Sequence, residues 1–447
     1  MTDADSPSFA SLAALAAATD PIQLLPELRR VEGSPVPEHL SLVGAMRLST
    51  DLWIGVLRDT KGQLLAAPFR VAGATLLRAV PGDGAAAALT RLLVDVKEAG
   101  NDGFSFTSFA PDGFEALDPG AAELAMEVDQ THESVVVADA AVVKWAVHAE
   151  PTPAPRLIAQ LSRAGFAEMP QPCGFVTWTD GRREVLVASV MQFLVGASDG
   201  WTWAVLDAGD FAARGGDLDA SVDGLGVVGT VIADMHAALA TPTEVMPSPT
   251  RLAGSHDAVE WRRLARTLLD DALGSVDGEE GHRLADLSGP IGEIFEALSD
   301  VIDATVIAVH GDLHIGQVLR WQGGYAVGDF DGNPVLPVAE RLAQQPAARD
   351  VAGMLQSIDH VGRVVLRRVE EANAGRVNVW IAEAQARFLG GYRARLAELG
   401  QTRLLDERLL RPFQVEQECR EFLYAVRHLP RWRYVPDQAL QALFPQA

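Results

Sequence analysis

Residues 306–331 read VIAVHGDLHIGQVLRWQGGYAVGDFD. The apolar run Val306–Val309 predicts a buried strand. His310-Gly311-Asp312-Leu313-His314-Ile315-Gly316-Gln317 then forms a polar loop. VLRW and YAV are short strands on either side of the turn Gly323-Gly324, and Gly328-Asp329-Phe330-Asp331 follows. A strand–loop–strand hairpin returns the chain on itself, so Asp312 and Asp329, 17 residues apart, meet at one point. The bland alternative is a solvated turn with incidental acids. One carboxylate directly behind VIAV and a second directly behind AVG argue against it.

Two acids and an amide in this order suit phosphoryl transfer to a hydroxyl. That chemistry needs a carboxylate near the attacking oxygen and further oxygen ligands for a Mg²⁺ ion that bridges the nucleotide phosphates. Asp312 is placed to accept the hydroxyl proton. Gln317, five residues on, can present a side-chain oxygen to the metal, and Asp329 supplies a charged ligand. His310 is expected to hold the loop through hydrogen bonds. His314 and Asp331 are expected to face the acceptor or tune the metal.

The surroundings of this segment are uneven. Residues 36–80 alternate like strands and hairpins, and the break PGDG at 81–84 opens an alanine- and leucine-rich helix. VDQTHESVVVADAAVVKWAVHAE reads as further strands, PTPAPRLIAQLSRAGF as a proline-bounded helix, and EVLVASVMQFLVGASDGW as a buried strand running into a loop. From about residue 201 the apolar spacing becomes helical, apart from the segment above. The expected organisation is α+β: a cap module over 1–97, a β-rich nucleotide-binding part over 98–200 and a mostly helical part over 201–447.

The chain has 447 residues, 37 basic and 60 acidic side chains, and a net charge of −23. That excess argues against nucleic acid as a partner. Cys173 and Cys419 form no metal or disulfide framework, which fits a reducing cytoplasm. The N-terminus is acidic where a signal peptide would be basic, and no unbroken run of about 20 apolar residues is present, so no membrane span is expected. A cytoplasmic monomer is the expectation.

The run HGDLHIGQVL resembles the loop of the aminoglycoside phosphotransferase-like kinase superfamily, in which HGD is followed five residues after the acid by Asn or Gln. VGTVIADMHAALA and RDVAGMLQSID look like its actinobacterial maltokinase branch, and the similarity covers essentially the whole chain. The resemblance implies a bilobal, protein-kinase-like fold and the use of ATP and Mg²⁺. Lys144, inside the apolar strand VVKWAV, would contact the nucleotide phosphates; an unpaired lysine there is costly to bury. Such kinases add a glutamate from the next helix, but here that helix offers Arg156, and Glu150 precedes the prolines. The phosphate loop would be Thr131-His132-Glu133-Ser134, with Ser134 as a contact. Backbone groups of a hinge at Met191-Gln192-Phe193-Leu194 would meet adenine.

Gln417, Glu421 and Tyr424 share one helical face at i, i+4 and i+7. Pro430 ends that helix, and Trp432 and Tyr434 are expected to alternate on an extended segment that points both the same way. The run from Gln417 to Pro436 looks like the signature of actinobacterial glucosamine kinases. Acids suit an ammonium group and aromatics suit a sugar ring, so Gln417, Glu421 and Trp432 are expected acceptor contacts. Tyr424, Arg431 and Tyr434 are expected to support the site. The resemblance implies transfer to the 6-hydroxyl of D-glucosamine. Maltose or an aminoglycoside as acceptor, or a catalytically dead kinase-like binding protein, remain the alternatives.

Overall fold

The computed structural model describes residues 7–25, 37–95, 100–101, 103–109, 114, 117–118, 120–126 and 132–445. Thr131 of the expected phosphate loop and Lys97 lie outside the described residues. The chain divides into two compact units: Met1–Pro155 with Pro170–Val195, and Arg156–Met169 with Gly196–Ala447.

The first unit is built on two antiparallel sheets. Leu40–Arg47, Leu52–Asp59, Leu64–Ala72 and Thr75–Arg78 form a four-stranded meander in chain order. Its second strand shows six buried residues in succession, because both faces of the sheet are covered. Trp53, Leu57 and Phe69 pack with Leu12 and Ala16 of the helix Phe9–Ala18. Leu52, Ile54 and Val56 join a second core with Val143, Val176 and Val187. Those valines belong to a seven-stranded sheet whose central strands are Pro172–Thr179, Glu184–Gln192, Ala141–Ala146 and His132–Val137.

The second unit is mainly helical. Most of the helix Ala154–Arg163 belongs to it. Gln160 on that helix is fully buried and donates to the carbonyls of Ala238 (3.0 Å) and Thr241 (2.6 Å). The long helices are Gly200–Arg214, Leu218–Leu239, Ser255–Ser275, Gly278–Glu296, Ala348–Arg368, Ala374–Glu398 and Leu410–His428. Leu218–Leu239 has the length and apolarity of a membrane span, which the search for an unbroken apolar run did not anticipate, but 61% of its most apolar window is buried. It packs against Ala374–Glu398 and carries the buried His236, so it is a core helix of this unit.

The segment that opened the sequence reading forms a strand, Thr305–Ile307, then an irregular loop, a single 3₁₀ turn Ile315–Gln317, and the hairpin Val318–Trp321 with Gly324–Val327. The Val327 amide donates to the Glu168 carbonyl (2.8 Å), and the Trp203 indole donates to the Val318 carbonyl (3.1 Å). Both bonds fix the hairpin on the helical unit.

Candidate active site

The Asp312 loop is held from beneath by one buried carboxylate. Asp350, in the first turn of helix Ala348–Arg368, accepts the backbone N–H of His310 (2.8 Å) and of Gly311 (2.9 Å). His236 Nε2 lies 3.1 Å from the same carboxylate, and His236 Nδ1 lies 2.7 Å from the Tyr392 hydroxyl. A ring nitrogen facing a carboxylate carries the proton, so Nε2 donates to Asp350 and Nδ1 accepts from Tyr392. Burial alone would push the Asp350 carboxyl up. The hydrogen bonds from His236 and from the Gly311 amide more than offset this and hold it below the usual range. Burial pushes the Tyr392 hydroxyl well up, which keeps it a donor.

His310 ties the two ends of the hairpin together. Its Nδ1 accepts the Asp312 N–H (3.4 Å), and its Nε2 donates to the Gly328 carbonyl (2.9 Å). It is fully buried, and both ring nitrogens are engaged in these bonds. The Gly328 amide donates back to the Gln317 carbonyl (2.9 Å). Asp329 then turns sharply at φ 63°, a left-handed conformation that aspartate tolerates better than most side chains. Asp312 keeps part of its surface open. Enclosure nonetheless pushes its carboxyl above the ordinary range, Asp329 and Glu421 add to the push, and His314 and His310 pull the other way.

Gln317 and Asp329 meet. The amide end of Gln317 lies 3.3 Å from Asp329 Oδ2 and 3.4 Å from His314 Nε2. His314 Nδ1 accepts the Gly316 N–H (3.0 Å), so its Nε2 carries the proton and needs an acceptor. Gln317 Oε1 satisfies that need when the amide is turned accordingly. As the structure places it, the amide nitrogen donates to Asp329 Oδ2, and turning the amide would bring its oxygen beside the same carboxylate, where a cation could take both. One carboxylate and one amide are a sparse set, but hard divalent cations at nucleotide sites take their remaining ligands from phosphates and water. The residues present therefore fit Mg²⁺. Asp331 lies two residues further on and does not line the cavity that Asp312 opens into.

That cavity has a volume of about 750 Å³ within the helical unit. Asp312, His314, Gln417, Glu421, Tyr424 and Trp432 all line it. The helix Leu410–His428 supplies three of them, and Gln417 donates to Glu421 (3.0 Å) along the expected face. The aromatic wall is larger than the sequence suggested. Trp432 meets Trp201 edge-on (5.9 Å, 85°) and His360 edge-on (6.5 Å, 88°), and Trp201 lies 6.4 Å from the His314 ring. Trp201, His360 and Asn333 were missed by the sequence reading. The first two sit on helices whose apolar period masks them, and Asn333 lies in an ordinary NP turn.

The C-terminal run differs from expectation in two respects. Trp432 ends a 3₁₀ turn, Pro430–Trp432, and Tyr434 begins the helix Tyr434–Leu443, so no extended segment alternates them. Proline favours the first position of a helical turn, which explains why it starts one here as well as ending the preceding helix. Arg431, expected to support the run, is exposed and makes no hydrogen bond or ion pair among the described residues. Arg433 holds the run instead, donating to Asp277 (2.8 Å) and lying 3.4 Å from Glu280, while the Arg367 guanidinium covers the Tyr434 ring at 5.3 Å.

The residues expected to contact the nucleotide belong to the first unit. Thr131–Ser134 was expected as a phosphate loop, but His132–Val137 is a strand, paired with Ala141–Ala146. Its branched run VVV favours a strand and outweighs the polar start. Register places Ser134 opposite Lys144, and Lys144 opposite Ser189, so the three share one face across neighbouring strands. The Ser134 hydroxyl is buried and has no hydrogen-bond partner among the described residues, which leaves a donor beside the lysine. At the expected hinge, the Gln192 amide donates to Gln171 (2.8 Å) and the Phe193 amide to Ala140 (2.8 Å). Those two amides are therefore spent within the sheet, and Leu194 is buried beside them.

No family model matches the chain. A glucosamine kinase from Streptacidiphilus jiangxiensis is 43% identical over 438 residues, 97% of this chain and 98% of that protein. A glucosamine kinase from Mycolicibacterium smegmatis is 42% identical over 373 residues, 83% of this chain and 90% of that one. A solved structure of a glucosamine kinase in complex with glucosamine, ADP and inorganic phosphate is 40% identical, covers 98% of this chain and 100% of its own, and superposes with a TM-score of 0.82. Identity at this level, sustained along nearly the full length of both chains, means that this protein belongs to the glucosamine kinase family.

Proposed function

We propose that this protein transfers the γ-phosphoryl group of ATP to the 6-hydroxyl of D-glucosamine. The observation that carries the reading is a single cavity lined by Asp312 together with Gln417, Glu421 and Trp432. A carboxylate with a raised pKa is a better proton acceptor than an ordinary one. Asp312 takes the acceptor hydroxyl's proton as that oxygen attacks the γ-phosphorus, the bond from phosphorus to the bridging oxygen breaks, and ADP leaves. Glu421 offers its charge to the ammonium at carbon 2, Gln417 orients Glu421, and the Trp432 ring bounds the sugar. Gln317 and Asp329 would hold Mg²⁺, which would supply positive charge to offset that of the nucleotide phosphates. Lys144, with Ser134 and Ser189 on the same face of its sheet, would contact the nucleotide phosphates. The sheet of residues 40–78 is the core of the cap module. Two free, buried cysteines fit the cytoplasm, where we place the enzyme.

Asp312→Asn tests this reading. A coupled assay of ADP release should show kcat reduced about 10²- to 10⁴-fold, with nucleotide affinity retained. Near-wild-type turnover, or a preference for maltose over glucosamine in the parent protein, would overturn it.

A further inference from the structure

The chain beyond the hairpin brings a side chain to the Asp312 carboxylate that no spacing rule points to. Asn333 Nδ2 donates to Asp312 Oδ1 at 2.9 Å. The direction of that amide is fixed independently, because Asn333 Oδ1 accepts the Val335 N–H at 3.1 Å. An amide oxygen held by a backbone donor leaves the amide nitrogen facing the carboxylate. The backbone enforces the meeting as well. Gly311 (φ 82°) and Gly332 (φ 70°) both adopt left-handed conformations, and a Cβ on Gly311 would lie 3.7 Å from the Gly332 Cα. The two loops therefore touch one residue before Asp312 and one residue before Asn333. Asn333 lines the acceptor cavity beside Asp312.

We propose that Asn333 is a positioning residue for the phosphoryl transfer: it clamps one oxygen of Asp312 and so aims the other at the acceptor hydroxyl. This rests on the reading of Asp312 as the base. Without the clamp the carboxylate can rotate about its last bond, and a misplacement on the scale of 1 Å costs about 10²-fold in rate. Substrate binding depends on other groups and should change little.

The test separates the clamp from the turn that Asn333 also caps. Asn333→Asp keeps an oxygen for the Val335 amide but replaces the donor with a second carboxylate. Asn333→Ser keeps a hydroxyl for the same amide and is too short to reach Asp312. Both variants should lose kcat about 10- to 100-fold, with KM for glucosamine and for ATP within about threefold; Tm should be unchanged for Asn333→Ser and lower for Asn333→Asp, whose added carboxylate faces Asp312. Asn333→Ala should lose kcat similarly and Tm in addition. If Asn333→Asp and Asn333→Ser turn over like the parent while Asn333→Ala is merely less stable, the residue serves the turn alone and the proposal fails. Asp312→Asn run alongside distinguishes the two ideas: an active Asp312→Asn sinks the base assignment, whereas an inactive one with active Asn333 variants sinks only the clamp.

Discussion

Glu418 and His360 are both buried in the helical unit, and they hold each other. His360 Nε2 lies 2.9 and 3.2 Å from the two Glu418 oxygens, and Gln356 donates to Glu418 at 2.6 Å. Burial alone would lower the His360 pKa, but the charge and hydrogen bond of Glu418, with Glu421 and Asp359 behind, raise it to about 9. The folded value thus lies above the unfolded one of 6.5. The stabilisation is fully present below about pH 6.5, as long as Glu418, whose carboxyl burial pushes up, stays charged, and it disappears as pH climbs through about 9. Tm should therefore fall between these limits, and His360→Gln should flatten the fall. Parallel pH profiles for the parent and His360→Gln would refute this source. The sequence reading found Gln417 and Glu421 by helical spacing and passed over Glu418. Its side chain lies about 60° round the helix from Glu421 and turns inward to His360, 58 residues earlier, and no local pattern encodes a contact over that distance. Asp312, Gln317 and Asp329 were legible for the opposite reason: they sit on one short hairpin, where spacing and geometry coincide.

At the scale of elements, the catalytic loop depends on how closely two helices approach. His236 lies on Leu218–Leu239 and Tyr392 on Ala374–Glu398, and their hydrogen bond continues to Asp350 and the backbone of His310. Glycines let the helices meet. A Cβ on Gly229 would collide with the Phe388 carbonyl, and one on Gly391 with the Gly226 carbonyl, while one on Gly390 would meet nothing within 4 Å. The adjacent glycines of FLGGY should therefore respond with opposite signs. Gly391→Ala should cost about 1–3 kcal/mol by overpacking. Gly390→Ala should gain about 0.5–1 kcal/mol, because alanine favours an exposed helix interior. Denaturant melts that move both variants the same way would contradict the packing. Both glycines were read correctly as helix interior. Which of the two faces the partner helix was not legible, since one residue of helical phase decides it. The same limit explains the misread run around Trp432, where tertiary packing chose a 3₁₀ turn over an extended segment.

Over the whole molecule, the net charge of −23 first served only to argue against nucleic acid. If the acceptor is an amino sugar in its ammonium form and the donor a nucleotide phosphate, one field acts on two substrates with opposite signs. The negative total attracts the sugar cation from solution and repels the anionic nucleotide, whatever the local contacts contribute once each is bound. Raising ionic strength from roughly 0.01 M to 0.1 M shortens the Debye length from about 30 Å to about 10 Å and removes most of this long-range term. kcat/KM for glucosamine should then fall while kcat/KM for ATP rises, and kcat itself should move little. Glucose, which lacks the amine, is the control: its kcat/KM should be flat across the same range. If glucosamine and glucose respond alike, the field plays no part in capturing the acceptor, and recognition of its amine rests on short-range contacts such as Glu421 alone.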